Sequence, residues 1–444
     1  MKRFFKHLFF HSRLFALLGI NIGLFVLAFM VPALLPAAKL AVLVIVTLLV
    51  VDFWLLYGQR GKVVAERELP DKFSNGDQNP VVLHLENQFR LRTTLKIIDE
   101  VPIQFQWRDS SFSLSMAPGE QRELKYLLRP TSRGAYHFGK LHVYAASFLS
   151  LVRRRFSMDA ESMVPTYPSY VQMRQYQLMA ISNRLSEVGV KKIRRLGHTT
   201  EFEQIKEYVR GDDYRTVNWK ATARTGKLMV NQYMDERAQN VYCLIDESRV
   251  MKMPFEGMTL LDYAINASLV LSNIAIYKHD RGGLITFAER IQSCVPASKR
   301  AIQMNRIMEV LYNQKTRFLE ADYARLYAFV KRNVVHRSLL ILFTNFESLS
   351  AMRRQLPHLQ RLAKQHLLMV IFFENTELQD LLDSDPEKLE DIYLKTIGES
   401  FAFEKRQIAL ELSQHGITTI LTPPEQLTVN TVNKYLELKS RGMI

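Results

Sequence analysis

The chain has 444 residues, 48% of them hydrophobic and 23% charged, with a formal charge of +15 and two cysteines. That length allows two or three domains with a sizeable core, and the composition excludes a disordered or fibrous chain. Cys243 and Cys294 cannot build a disulfide framework, and Cys243 lies inside an apolar run, so the soluble part is expected to face a reducing compartment.

Positive charge is concentrated at the start. Residues 1–62 carry Lys2, Arg3, Lys6, Arg13, Lys39, Arg60 and Lys62 against one acid, Asp52. The remaining excess is spread thinly, with no basic tail and no basic helix interleaved with aromatics, so no nucleic-acid partner is expected. In the same stretch, LFALLGINIGLFVLAFMV (14–31) and LAVLVIVTLLVVDFWLLY (40–57) each run 18 residues, with Asp52 their one ionisable group. As a helix each spans about 27 Å, close to the hydrocarbon thickness of a bilayer. The short VPALLPAAK between them forces opposite crossings, so residues 1–60 are predicted to form a two-helix transmembrane hairpin. Cations precede the first helix and follow the second (Arg60, Lys62, Arg67), with only Lys39 in the turn. This pattern predicts a multi-pass membrane protein whose soluble domains face the cytoplasm. A signal peptide cut near Ala37 or Ala38 is the alternative, and it leaves the later chain on the same side. Asp52, near a helix end, is read as snorkelling or meeting the tryptophan belt rather than marking a proton path.

From 61 to 165 the apolar pattern has a period near two: PVVLHLEN (80–87), TTLKIIDEV (93–101), FSLSMAPGEQRELKYLLRP (112–130) and AYHFGKLHVYAAS (135–147). Asn75-Gly76-Asp77, Pro118-Gly119 and Ser132-Arg133-Gly134 punctuate these runs, which predicts a small antiparallel β-sandwich. A basic connector follows over 166–237. From 238 to 444, short apolar runs at 241–248, 282–288, 338–345, 367–373 and 416–422 alternate with helical stretches at 259–278, 298–313, 322–335, 349–365, 387–415 and 424–440. The alternation implies an α/β domain with a parallel sheet covered on both faces, whose ligand crevice lies at the carboxyl ends of its strands. That edge holds Asp246-Glu247-Ser248 and Thr344-Asn345.

Local signatures of phosphate-binding loops, dinucleotide sites, metalloproteases, paired C-x-x-C and serine hydrolases are absent from the sequence. DESRV (246–250) approaches the D-x-S-x-S pattern in which a strand end offers a carboxylate and two hydroxyls to magnesium. Val250 cannot ligate, and Asn345 stands where a second carboxylate is expected, so Asp246, Ser248 and Asn345 form a degenerate remnant. No cofactor is expected, Mg2+ being the ion such a remnant would take. The alternative is that Asp246 and Ser248 cap the following segment.

RGDDYRTVNWKATAR (210–224) is the densest polar cluster of the chain. Asp212 and Asp213 lie within reach of Arg210, Arg215, Lys220 and Arg224, and mutual pairing is expected to set the loop as a clasp or docking surface. Adjacent carboxylates diverge, which disfavours a shared acid–base role. Arg210, Gly211, Asp212, Asp213, Arg215, Trp219, Lys220 and Arg224 are the candidate binding residues, with Trp219 the expected anchor of any interface; no residue is assigned as catalytic.

The pattern R-G-D-D-x-R-x-x-x-W-K-x-x-A-R at 210–224, with GKLMV (226–230), the D-x-S at 246–248, RPTSRGAYHFGKL (129–141) and VPTYPS (164–169), resembles the domain of unknown function 58 family, the MoxR-associated membrane proteins with a von Willebrand factor A-like domain. The resemblance implies an inner-membrane protein with a Rossmann-type, A-like parallel sheet and a MoxR-type AAA+ ATPase as partner. AASFLSL (145–151) departs from the D-P-F-G-L common in that family. The expected function is a membrane-anchored, non-enzymatic adaptor that binds the ATPase, its client or both. The rival is a magnesium-dependent hydrolase or phosphotransferase using Asp212, Asp213 and Asp246.

Overall fold

Long apolar runs without a competing polar group become helices. α1 (Ser12–Met30) and α2 (Leu35–Tyr57) form the first two, joined by a single 3-10 turn at Pro32–Leu34. Both begin earlier than the apolar pattern alone predicts: the His11 side chain caps α1 by accepting Arg13 N, and Pro36 is tolerated in the first turn of α2, where its missing N–H would have no partner. Lys39 therefore lies within α2 rather than in a loop. Most side chains of both helices are open, Ile20 at 71% and Phe29 at 92% among them, so little protein covers them. Both are long and apolar enough to cross a membrane; Leu260–Tyr277 is too, but it is buried inside its own unit.

The computed structural model describes residues 8–58, 61–107, 110–181, 201–210, 212–234, 238–300, 302–374 and 389–443. These divide into two units, Met1–Thr166 and Tyr167–Ile444. Of the basic residues counted at the start, Lys2, Arg3, Lys6 and Arg60 lie outside the described residues.

In the first unit, β1 (Leu8–Phe10), β2 (Val63–Glu68), β3 (Phe73–Ser74), β4 (Asn79–Asn87), β5 (Thr93–Asp99), β6 (Ser111–Met116), β7 (Gln121–Leu128), β8 (Gly134–Phe138), β9 (Leu141–Ala146), β10 (Val152–Met158) and β11 (Ser162–Tyr167) build antiparallel sheets of order β1-β10-β9-β5-β6, β2-β4-β7 and β3-β11-β8. Alternation sets the core: Val81, Leu83 and Leu85 of β4 and Leu95 and Ile97 of β5 are fully or almost fully buried, while the residues between them are more open. Arg67 was counted among the cations that orient the hairpin, but it is buried. Its guanidinium grips Asp99 at 2.5 and 3.2 Å and donates to Ala160 O and Gly139 O, while Tyr126 Oη donates to the same carboxylate at 2.5 Å. Its charge is paired inside the antiparallel β region instead of marking a membrane face. β1 is a further departure: the segment before α1 is an edge strand on β10, with Phe9 opposite Arg153.

In the second unit, α3 (Tyr170–Ile181) precedes a two-stranded ribbon of β12 (Glu201–Glu207) and β13 (Met229–Met234), with α4 (Trp219–Thr225) between them. The six-stranded sheet has the order β18-β17-β14-β19-β20-β21, from β14 (Asn240–Asp246), β17 (Arg281–Phe287), β18 (Ile291–Ser298), β19 (Leu339–Phe343), β20 (Leu367–Phe373) and β21 (Thr418–Thr422); β15 (Pro254–Phe255) and β16 (Met258–Thr259) form a small hairpin ahead of α5 (Leu260–Tyr277). Helices α6 (Gln303–Tyr312), α7 (Tyr323–Asn333), α8 (Leu349–Gln365), α9 (Leu389–Gln414) and α10 (Leu427–Ser440) follow. Along β14, Val241, Cys243 and Ile245 pack with the buried side of α5, and Tyr242 and Leu244 pack with Leu326, Leu359 and Ile408 on the other face. Both faces are covered, so the strand reads as one continuous apolar run.

The sheet is mixed rather than wholly parallel. β17 turns back through residues 288–290 into β18, which pairs with it antiparallel and carries Pro296. Half-exposed residues and a proline suit an edge strand, and that pattern carries no apolar run from which to predict it. The helix expected from 298 accordingly begins at Gln303.

Candidate functional site

The ribbon fixes the motif loop at both ends. Glu207 pairs with Met229, Tyr208 N donates to Leu228 O at 2.8 Å, and Val217 bridges to Val230. Inside this frame Asp213 Oδ1 accepts Arg215 N at 3.0 Å and caps a 3-10 turn at Tyr214–Thr216. Asn218 Oδ1 accepts Ala221 N at 3.0 Å and caps α4, which stops at Gly226 with φ 68, a left-handed conformation that favours glycine. Asp212 accepts Lys206 Nζ at 2.9 Å and Val209 N at 3.0 Å, and the Lys206 bond is the first cause holding its carboxyl below the usual range.

The expected clasp of acids against Arg210, Arg215, Lys220 and Arg224 is therefore not what forms. The nearest donors win: Asp213 is spent on its own turn, and Asp212 on a strand lysine that the motif does not contain. The four motif cations are exposed and enter no ion pair among the described residues, Arg215 lying only over the Tyr214 ring at 5.7 Å. Tyr214 and Trp219 are 72% and 73% exposed. Gly211 lies outside the described residues. The result is a basic, aromatic surface on a capped scaffold.

At the carboxyl edge of the sheet, Asp246 is buried at the end of β14. Its carboxylate accepts Ser248 N at 2.8 Å and Thr344 Oγ1 at 2.7 Å, with Tyr323 Oη at 3.4 Å and 2.8 Å from Thr344 Oγ1. Burial raises its pKa despite these bonds. Asn345 Oδ1 accepts Lys405 Nζ at 2.5 Å, and the same ammonium donates to Phe346 O at 2.5 Å. Burial pushes Lys405 down to about 8.

A magnesium ion needs several free oxygens in near-octahedral array. Here Asp246 already faces hydroxyl and amide donors, the Asn345 oxygen is held by an ammonium, and Val250 packs against the core. This donor set does not fit the ion. Among the described residues Asp246 shares no partner with Asp212 or Asp213, so the three aspartates of the hydrolase alternative are not joined there through a common contact. Lys405 and Tyr323 were not legible as site residues, since each lies in an ordinary amphipathic helical stretch.

In the first unit Asp52 is fully buried rather than snorkelling. Its carboxylate accepts Leu151 N and Val152 N, both at 2.8 Å, and the Ser147 hydroxyl. Arg154 Nη1 donates to Leu56 O at 2.8 Å. The loop that lacks the D-P-F-G-L acid thus receives a carboxylate from α2.

These features define an α/β protein with a mixed sheet, whose first unit carries two apolar helices of membrane-crossing length and an antiparallel β region. Residues 204–398 match the family model described as "Protein of unknown function DUF58", a match that includes the motif at 210–224. A relative is the uncharacterized protein YeaD of Bacillus subtilis (strain 168), 26% identical over 125 residues; the match spans 28% of this chain and 30% of that protein. Among solved structures, the conserved hypothetical protein BatB of Bacteroides thetaiotaomicron is 11% identical over 46% of this chain and 100% of its own, at a TM-score of 0.30. The CARDB domain of the PF1109 protein of Pyrococcus furiosus is 14% identical over 24% of this chain and 93% of its own, at a TM-score of 0.17.

Proposed function

We propose that this protein is a membrane-anchored, non-enzymatic adaptor whose α/β unit is von Willebrand factor A-like and binds a MoxR-type AAA+ ATPase, its client, or both. The hairpin of α1 and α2 holds the soluble units in the cytoplasm, and tethering raises their local concentration near membrane clients. The observation that carries the reading is the inversion of the motif loop. Its acids turn inward to cap and brace, while Tyr214, Trp219 and the cations Arg210, Arg215, Lys220 and Arg224 face outward without acidic partners among the described residues. Aromatic and arginine side chains are the groups that dominate interface energies, and their charge suits an acidic partner surface. The ATPase as that partner follows from the family resemblance.

The test is co-purification of the full chain from its native membrane, wild type beside Trp219→Ala. An AAA+ ATPase retained by the wild type and lost from the variant is expected. Because Trp219 is exposed, the substitution should leave the melting temperature nearly unchanged, within about 0.5 kcal/mol of stability. Absence of an ATPase from the wild-type material would remove the proposal.

A further inference from the structure

We infer that the β-sheet region of the first unit is seated on the membrane surface itself, with the 147–150 loop in the interfacial layer and Arg13 and Arg153 holding anionic phospholipid headgroups. The inference rests on reading α1 and α2 as inserted helices. What carries it is the height at which the loop is fastened. Asp52 stands five residues before the end of α2 at Tyr57, about 7.5 Å along the helix axis. The loop bonded to its carboxylate therefore runs beside the last turn and a half of an apolar helix rather than beyond its end. On that stretch Asp52 and Leu56 are buried, while Val50, Val51 and Trp54 on the rest of the circumference are 58%, 42% and 64% exposed. One side of the same two turns is covered by this region and the other is bare, so the surface that covers the bare side must begin at the level of the loop.

Phe148 occupies that level. It is 70% exposed, and its neighbours are fixed: the Ser147 hydroxyl bonds Asp52, Leu149 N donates to Ser147 Oγ at 3.1 Å, and Ser150 Oγ donates to Ser147 O at 2.9 Å. An aromatic ring held outward on a braced loop at this height suits the interfacial belt, where its apolar surface leaves water. Phe10, 50% exposed on β1, leads through His11 directly into α1 and continues the same rim.

The charges agree. Arg153 lies on β10 opposite Phe9, and Arg13 is exposed in the first turn of α1. The two stand on either side of His11, whose backbone N–H donates to Leu151 O at 2.9 Å beside the β1–β10 pairing that sets Phe9 against Arg153, and whose Nδ1 accepts Arg13 N at 3.1 Å. Neither arginine has an acidic partner among the described residues, since Asp52 is turned into the loop. Two neighbouring cations at the end of an inserted hairpin repel each other until an anion bridges them, and a lipid phosphate accepts from arginine with matching geometry.

The experiment uses the full chain reconstituted into nanodiscs of phosphatidylcholine, alone or mixed with phosphatidylglycerol. Failure to enter either disc would defeat the reading of α1 and α2 as inserted helices, separately from this inference. In inserted protein carrying Phe148→Trp with Trp54, Trp107 and Trp219 changed to Phe, brominated lipid should quench the emission strongly and acrylamide weakly. Phosphatidylglycerol should also raise the melting temperature of the wild type. Arg13→Gln/Arg153→Gln should lose that increment, and Arg13→Lys/Arg153→Lys should keep most of it. Emission quenched by acrylamide but not by brominated lipid, or an increment that survives in the glutamine variant, would overturn the inference.

Discussion

The carboxylate of Asp52, inside an apolar helix, accepts the backbone amide of Val152 at 2.8 Å, one hundred residues on in the chain. Together with Leu151 N and Ser147 Oγ, that bond fastens α2 to β10. Asp52→Ala leaves two backbone amides and a hydroxyl buried without their acceptor, and should destabilise the first unit by about 3 kcal/mol. Asp52→Asn, which keeps one acceptor oxygen, should cost less. Thermal melting of the full chain in detergent checks the order; equal melting of wild type and the alanine variant would show that the contact contributes nothing.

Arg67 and Asp99 have side chains 1% and 0% exposed, so removing either leaves a charge buried without its partner. Arg67→Met should therefore cost about 3–5 kcal/mol. The double variant Arg67→Met/Asp99→Leu should recover part of that loss, because no lone charge remains. Chemical denaturation of the three proteins measures the difference, and strict additivity of the two single losses would contradict the pairing.

Lys405 gives the fold a pH dependence of known sign. Its folded-state pKa is pushed by burial down to about 8 from 10.5, with Glu347 and Glu404 pulling weakly the other way. Between those values the unfolded chain holds the proton and the folded chain does not, so this group's contribution to stability rises as pH rises. Tyr323, Tyr435 and Cys243, all raised by burial, act in the opposite direction. The useful quantity is the stability of wild type minus that of Lys405→Met, which should increase from pH 8 to 10.5 by an amount on the order of 3 kcal/mol. A difference independent of pH would show that the ammonium is solvated.

Millimolar magnesium should leave the melting temperature of the full chain unchanged, since any ion bound only by the folded state would stabilise it by mass action. A saturable increase that disappears in Asp246→Asn would show that Thr344, Tyr323 and Lys405 yield their positions to the ion, and would favour the metal-dependent alternative.

Periodicity carried much of the architecture. The two apolar runs, the period-two stretches between 80 and 147 and the five continuous apolar strands each announce an element, because burial on one or both faces writes its spacing directly into residue type. The likeness to the matched family model, too, was legible in the spacing of 210–224. What the sequence left undecided was every contact between residues far apart in the chain. Proximity in sequence suggested that Asp212 and Asp213 would pair with the motif arginines; backbone amides and Lys206 stood closer once β12 and β13 had paired. Arg67 and Asp52 resembled a surface cation and a helix-end acid, and tertiary packing buried both. An ionisable side chain takes its role from the donors and acceptors that folding brings within about 3 Å of it, and no local pattern encodes those partners.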